Sequence, residues 1–171
     1  MKSDMEVDNM KFKKAIIISI VISVILLICS LLLPNINIDK DTIGYNSNDT
    51  YNIKAYNTIR DINKYIKISD NIDKKVLGNY QVTVKVRYLF YRYNKVFDIK
   101  VVDKVKPEVE LKGNNPSYVC PNKDYDEEGY TASDDYDGDI TDKVNIEKNG
   151  NFIIYSVKDS SGNKNKIRRS I

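Results

Sequence analysis

A chain of 171 residues with 27 Lys and Arg against 24 Asp and Glu carries a formal charge of +3, too small and too evenly spread for a nucleic-acid-binding surface. It has no histidine, which removes the commonest general base near neutral pH, the usual zinc ligand and every Ser-His or Cys-His nucleophile pair. Its two cysteines, Cys29 and Cys120, stand one inside and one outside an apolar run, so no internal disulfide is expected and stability must come from the core.

Residues 1–14 are short and mixed in charge, and read as a disordered cytoplasmic tail. Residues 15–33, AIIISIVISVILLICSLLL, carry no charge. At ~1.5 Å per residue this run covers roughly 28 Å, the thickness of a hydrocarbon core. Only a helix satisfies its backbone once water is gone, so the segment reads as a single transmembrane helix in contact with the lipid bilayer. Lys11, Lys13 and Lys14 crowd its N-terminal border, whereas Pro34–Ile38 has no positive charge. Positive flanks stay cytoplasmic, which puts the N-terminus inside and residues 34–171 outside. A cleaved signal peptide would end in small residues, but here the run ends Leu31-Leu32-Leu33-Pro34. A lipoprotein would have a small residue before its modified cysteine, and Ile28 stands there. The reading is an uncleaved anchor.

Residues 34–50 are rich in Asn, Asp, Ser and Thr, and read as a linker with an edge strand at Ile36–Ile38. Residues 51–104 form a first unit. Tyr51–Ile59 alternates weakly, and Asp61–Ser69 reads as a helical turn or a strand. Tyr80, Val82, Val84 and Val86 alternate strictly with Gln81, Thr83, Lys85 and Arg87, the pattern of a half-buried antiparallel strand. Tyr93-Asn94-Lys95 breaks the run and Val96–Val102 completes a hairpin. Residues 105–171 form a second unit. There Val109 and Leu111 alternate with charge, Asn149-Gly150 signals a type I′ turn, and Ile153, Tyr155 and Val157 share one face of a strand. Asp159–Asn163 turns into a last strand carrying Ile167 and Ile171. Short strands with turns every eight to twelve residues predict β-sandwiches.

The units echo one another. Asp61-Ile62-Asn63-Lys64-Tyr65-Ile66 parallels Asp139-Ile140-Thr141-Asp142-Lys143-Val144, and Tyr80/Val82/Val84/Val86 parallels Asn151/Ile153/Tyr155/Val157. The expected fold class is therefore an all-β ectodomain of two tandem small sandwich units behind a transmembrane helix.

Several segments of the second unit carry a family likeness in order and at suitable spacing. They are Asp103-Lys104 before Pro107, Val109–Gly113, Glu128–Ala132, Asp134–Thr141 and Tyr155–Asn163. On these residues the segment 105–171 resembles a bacterial immunoglobulin-like (Ig-like) surface domain of the kind appended to pesticidal crystal proteins. Residues 39–104 look like a degenerate copy. The resemblance implies a non-enzymatic extracellular module for display, spacing or binding at the cell envelope, with wall glycan or another surface protein as partner. The alternative it implies is a targeting stalk or accessory subunit of a wall-modifying enzyme whose catalytic part is absent here.

Three features invite a site. Asp134, Asp135, Asp137 and Asp139 gather carboxylates as a hard cation such as calcium requires, although an EF-hand would place a glycine and a glutamate where Ile140 and Ile146 stand. The structural alternative is a turn whose aspartates cap backbone N–H groups while Gly138 takes a positive φ. Tyr88, Phe90, Tyr91 and Tyr93 form the most aromatic stretch, with Tyr88 and Phe90 on one face and Leu89, Tyr91 and Tyr93 on the other. One face should be core, and the other is a candidate binding surface or a packing contact. The acidic run Asp124, Asp126, Glu127 and Glu128 lacks any sugar pocket that would make it half of a glycosidase pair. Cys120 reads as a small buried apolar residue. Catalytic residues and cofactors are not expected.

Overall fold

The computed structural model describes residues 2–120 and 123–171. One long helix, α1 (Lys2–Leu31), precedes strands β1 (Asn35–Ile38), β2 (Thr42–Gly44), β3 (Ile53–Tyr56), β4 (Ile66–Asp70), β5 (Gly78–Tyr88) and β6 (Tyr91–Val102). There follow β7 (Glu108–Leu111), β8 (Tyr130–Asp134), β9 (Gly138–Asp139), β10 (Asn145–Asn149), β11 (Phe152–Lys158) and β12 (Lys164–Ser170). Within α1, the 23 residues Asn9–Leu31 are long and apolar enough to cross a membrane, and their mean hydropathy reaches 2.7. Side chains such as Ile17, Ile22, Leu26 and Leu27 are at least half exposed, so among the described residues no protein core buries this helix. The helix continues back through Lys2, so the segment read as a disordered tail is helical; Met1 lies outside the described residues.

The chain divides into two compact units. The first comprises residues 1–41, 50–72 and 80–99. In it β1 pairs antiparallel with β3, setting Ile36 opposite Ala55. β4 pairs antiparallel with β5, which is followed in the sheet by β6. Period-two alternation sends Val84, Val86 and Tyr88 inward, where they meet Ile36, Ala55 and Ile62. Residues 34–50 are thus no linker, since they hold β1 and β2. Asp39 closes the turn between β1 and β3 by accepting the Asn52 N–H at 2.6 Å and its side-chain amide at 2.8 Å.

The second unit comprises residues 42–49, 73–79 and 100–171. β2 pairs parallel with the end of β6, Thr42 opposite Lys100. β7, β8 and β9 make one antiparallel sheet and β10, β11 and β12 another. Val109 and Ala132 from the first and Ile153, Tyr155 and Val157 from the second pack with Ile140 into one core, the arrangement of a sandwich.

Two turns differ from the sequence reading. The β5–β6 hairpin reverses at Leu89-Phe90, with Leu89 in the left-handed region at φ 51°, and β6 begins at Tyr91, so Tyr93-Asn94-Lys95 continues a strand. The β10–β11 turn is Gly150-Asn151, one residue later than Asn149-Gly150, because Asn149 pairs with Phe152. Only Gly150 takes positive φ there, 58°, which suits a residue without Cβ. Tyr118-Val119-Cys120 joins no strand, and Cys120, read from sequence as buried, is exposed.

Each unit carries the same local device. A single 3-10 turn, Asn63–Tyr65 in the first and Thr141–Lys143 in the second, is preceded by a buried isoleucine with nearly identical dihedrals: Ile62 at φ −123°, ψ 19° and Ile140 at φ −126°, ψ 26°. Asp61 caps the Asn63 N–H at 2.6 Å as Asp139 caps that of Thr141 at 2.9 Å. Ile62 N–H donates to Ala55 and Ile140 N–H donates to Ala132, both at 2.9 Å. The same alanines donate back, Ala55 to the Asn63 side chain at 2.7 Å and Ala132 to the Thr141 hydroxyl at 2.9 Å.

Candidate functional sites

The aromatic stretch does not form one surface. Tyr88 is core, 2% exposed, while Leu89 and Phe90 stand out at the hairpin tip. That tip breaks the alternation that was to set Tyr88 with Phe90 and Leu89 with Tyr91 and Tyr93. Tyr91 donates its hydroxyl to the Cys29 carbonyl at 2.7 Å, and Tyr93 donates to the Pro34 carbonyl at 3.1 Å. Lys95 adds a bond from its ammonium to the Ile36 carbonyl at 2.7 Å. Tyr91 thus adds a second donor to a carbonyl in the last turn of α1, which the Leu32 N–H also reaches at 3.2 Å, and Tyr93 binds just beyond the helix end. Burial there raises both phenols above their ordinary pKa.

The four clustered aspartates point to different partners. Asp134 Oδ1 accepts the N–H groups of Tyr136 and Asp137 at 2.9 and 3.0 Å, an Asx turn. Asp135 is exposed. Asp137 accepts the Ser160 N–H at 2.7 Å and its hydroxyl at 2.6 Å, and lies 3.4 Å from Lys143. The Ser160 hydroxyl and N–H hold its carboxyl below the usual carboxylate range. Asp139 is occupied with Thr141. The fold instead draws Asp134 to Asp103 and Asp159, all three buried, with one carboxylate oxygen of each within 4.8 Å of the others. Each of these three residues belongs to a motif legible in the sequence, but nothing in the sequence shows that the chain brings them together.

Of the acidic run, Glu127 accepts the Tyr155 hydroxyl at 2.6 Å and pairs with Arg169 at 3.6 Å. Glu128 accepts the Asn114 N–H at 2.6 Å. Arg169 is fully buried, donating to the Tyr125 hydroxyl at 2.6 Å and to the carbonyls of Lys112 and Gly129. It was foreseeable from the spacing, since it shares a strand face with Ile167 and Ile171. A further feature missed from sequence is an open groove of about 580 Å³ on the second unit. Lys106, Lys143, Lys158, Lys164 and Lys166 line it, so lysines scattered in sequence converge on one face.

Residues 109–171 match a family model described as bacterial surface protein, Ig-like domain. The matched segment contains most of β7 and all of β8–β12, the two packed sheets of the second unit, and supports an Ig-like surface domain there. A search of curated proteins finds no match.

Proposed function

We propose that this protein is a single-pass membrane protein whose β-rich portion stands outside the cell as a non-enzymatic module for display, spacing or binding at the envelope. One observation carries the reading: an unburied apolar helix of spanning length runs straight into β structure whose last 63 residues match a bacterial surface domain. Tyr91 and Tyr93 at the outer end of that helix support it, because tyrosine is favoured where apolar chains give way to water. The matching devices around Ile62 and Ile140 support two tandem Ig-like units, the first a diverged copy of the second. The lysine-lined groove supports contact with anionic wall polymers or an acidic surface protein.

Protease added to intact cells tests the topology through two tags, one at each terminus. The reading expects the C-terminal tag to be lost and the N-terminal tag to be retained in a membrane-bound fragment. Protection of the C-terminal tag, or a mature chain that begins beyond Leu33, overturns it.

A further inference from the structure

We propose that Asp103, Asp134 and Asp159 of the second unit bind a calcium ion. Asp103 follows β6, Asp134 is the last residue of β8 and Asp159 follows β11, so two loops and a strand end bring one carboxylate each together. Their exposures are 7%, 9% and 4%. Buried carboxylates are normally paired with a cation, because burial removes the water that would hold their charge. Among the described residues, the donors to the three side chains are neutral amides. Asp103 accepts from Val105 and Asn163, Asp134 from Tyr136 and Asp137, and Asp159 from Asn163. Among the described residues, no lysine or arginine pairs with any of them.

A second observation points to a ligand. Asp134 Oδ2 is buried and has no hydrogen-bond partner, although Oδ1 of the same group has two. A buried acceptor left empty carries a full desolvation penalty, and a cation removes it. The spacing suits a hard ion. Calcium holds oxygens at about 2.3–2.6 Å, so oxygens on opposite sides of it stand up to roughly 5 Å apart. The three ligand atoms lie within 4.8 Å of one another, inside that span. All donors are oxygen, the set that calcium takes, with room for water or carbonyl oxygens to complete its shell.

The test is calorimetric titration of the full chain in detergent micelles with calcium chloride after chelation, paired with thermal unfolding in calcium and in chelator. The expected result is one calcium per chain, weaker binding of magnesium, and a higher melting temperature with calcium. Asp134→Asn keeps the Oδ1 acceptor for Tyr136 and Asp137, so the turn survives while the charge goes. It and Asp159→Asn should each weaken calcium binding at least roughly tenfold, the lower range seen for lesser changes around metal sites. Asp134→Asn should melt in chelator no lower than the parent, because mutual repulsion is relieved and no donor faces Oδ2. Asp135→Asn, at an exposed position, should bind as the parent does. No binding by the parent, or parental affinity in both Asp134→Asn and Asp159→Asn, overturns the proposal. So does a loss of binding in Asp135→Asn that the other two variants do not show.

Discussion

The Tyr91 hydroxyl donates to the Cys29 carbonyl at 2.7 Å, joining β6 to the last turn of α1 across 62 positions of sequence. The Leu32 N–H already reaches this carbonyl at 3.2 Å, and the strand supplies a second donor to it at the helix end. Tyr91→Phe keeps the ring and deletes the bond. The expected cost is about 1 kcal/mol, measured by denaturant unfolding of the full chain in micelles and followed by its β-sheet circular dichroism. Unchanged stability would mean that the carbonyl is equally well served by solvent.

Arg169 is a heavier commitment. Its guanidinium serves Tyr125, Lys112, Gly129 and Glu127, and lies 5.9 Å from the Tyr155 ring centroid. Arg169→Ala strands the Lys112 carbonyl, leaves Glu127 without its cation and opens a cavity, so a loss of roughly 3–5 kcal/mol is expected. Arg169→Lys should recover only part of this, because an ammonium cannot reproduce the fork. Chemical denaturation of both variants measures the difference.

Ile62 and Ile140 hold equivalent places, each 1% exposed or less. Truncating either to alanine should cost roughly 2–5 kcal/mol. Because each belongs to the core of its own unit, Ile62→Ala should expose amides of β5 to hydrogen exchange, and Ile140→Ala those of β11. Mass-spectrometric exchange reads both, and identical patterns from the two variants would contradict separate cores.

High pH should loosen the fold. Burial, and then a hydrogen bond to Asp70, pushes the Tyr51 phenol up to about 12. Burial, and then its bond to Glu127, raises Tyr155 as well. A raised phenol pKa means that the folded state holds the proton more tightly than the unfolded state, whose phenols titrate near about 10. The stabilisation is therefore complete below pH ~10 and is lost as pH rises through about 12 for Tyr51. Melting temperatures followed across that window should fall, less steeply for Tyr51→Phe and for Tyr155→Phe.

What could be read from sequence was whatever obeys a short period. The β5 alternation placed Val82, Val84 and Val86 inside, and the β11 alternation did the same for Ile153, Tyr155 and Val157. The likeness of the turns at Ile62 and Ile140 was visible because each is led by the same Asp-Ile pair. The Leu89-Phe90 turn was not, since two apolar residues give no turn signal and the tip was mistaken for strand. Nor was the junction of Asp103, Asp134 and Asp159 visible, because it depends on three segments distant in sequence that meet only in the folded unit. The four-aspartate run drew attention through proximity in sequence, whereas only its first member reaches that junction.

Only Leu32, Leu33 and Pro34 separate the end of α1 from the start of β1, a stretch of at most about 10 Å. With the helix in a bilayer, so short a tether would leave the first unit nowhere to swing. It would ride on the headgroups like a buoy on a taut chain, and would meet only what arrives at the lipid surface.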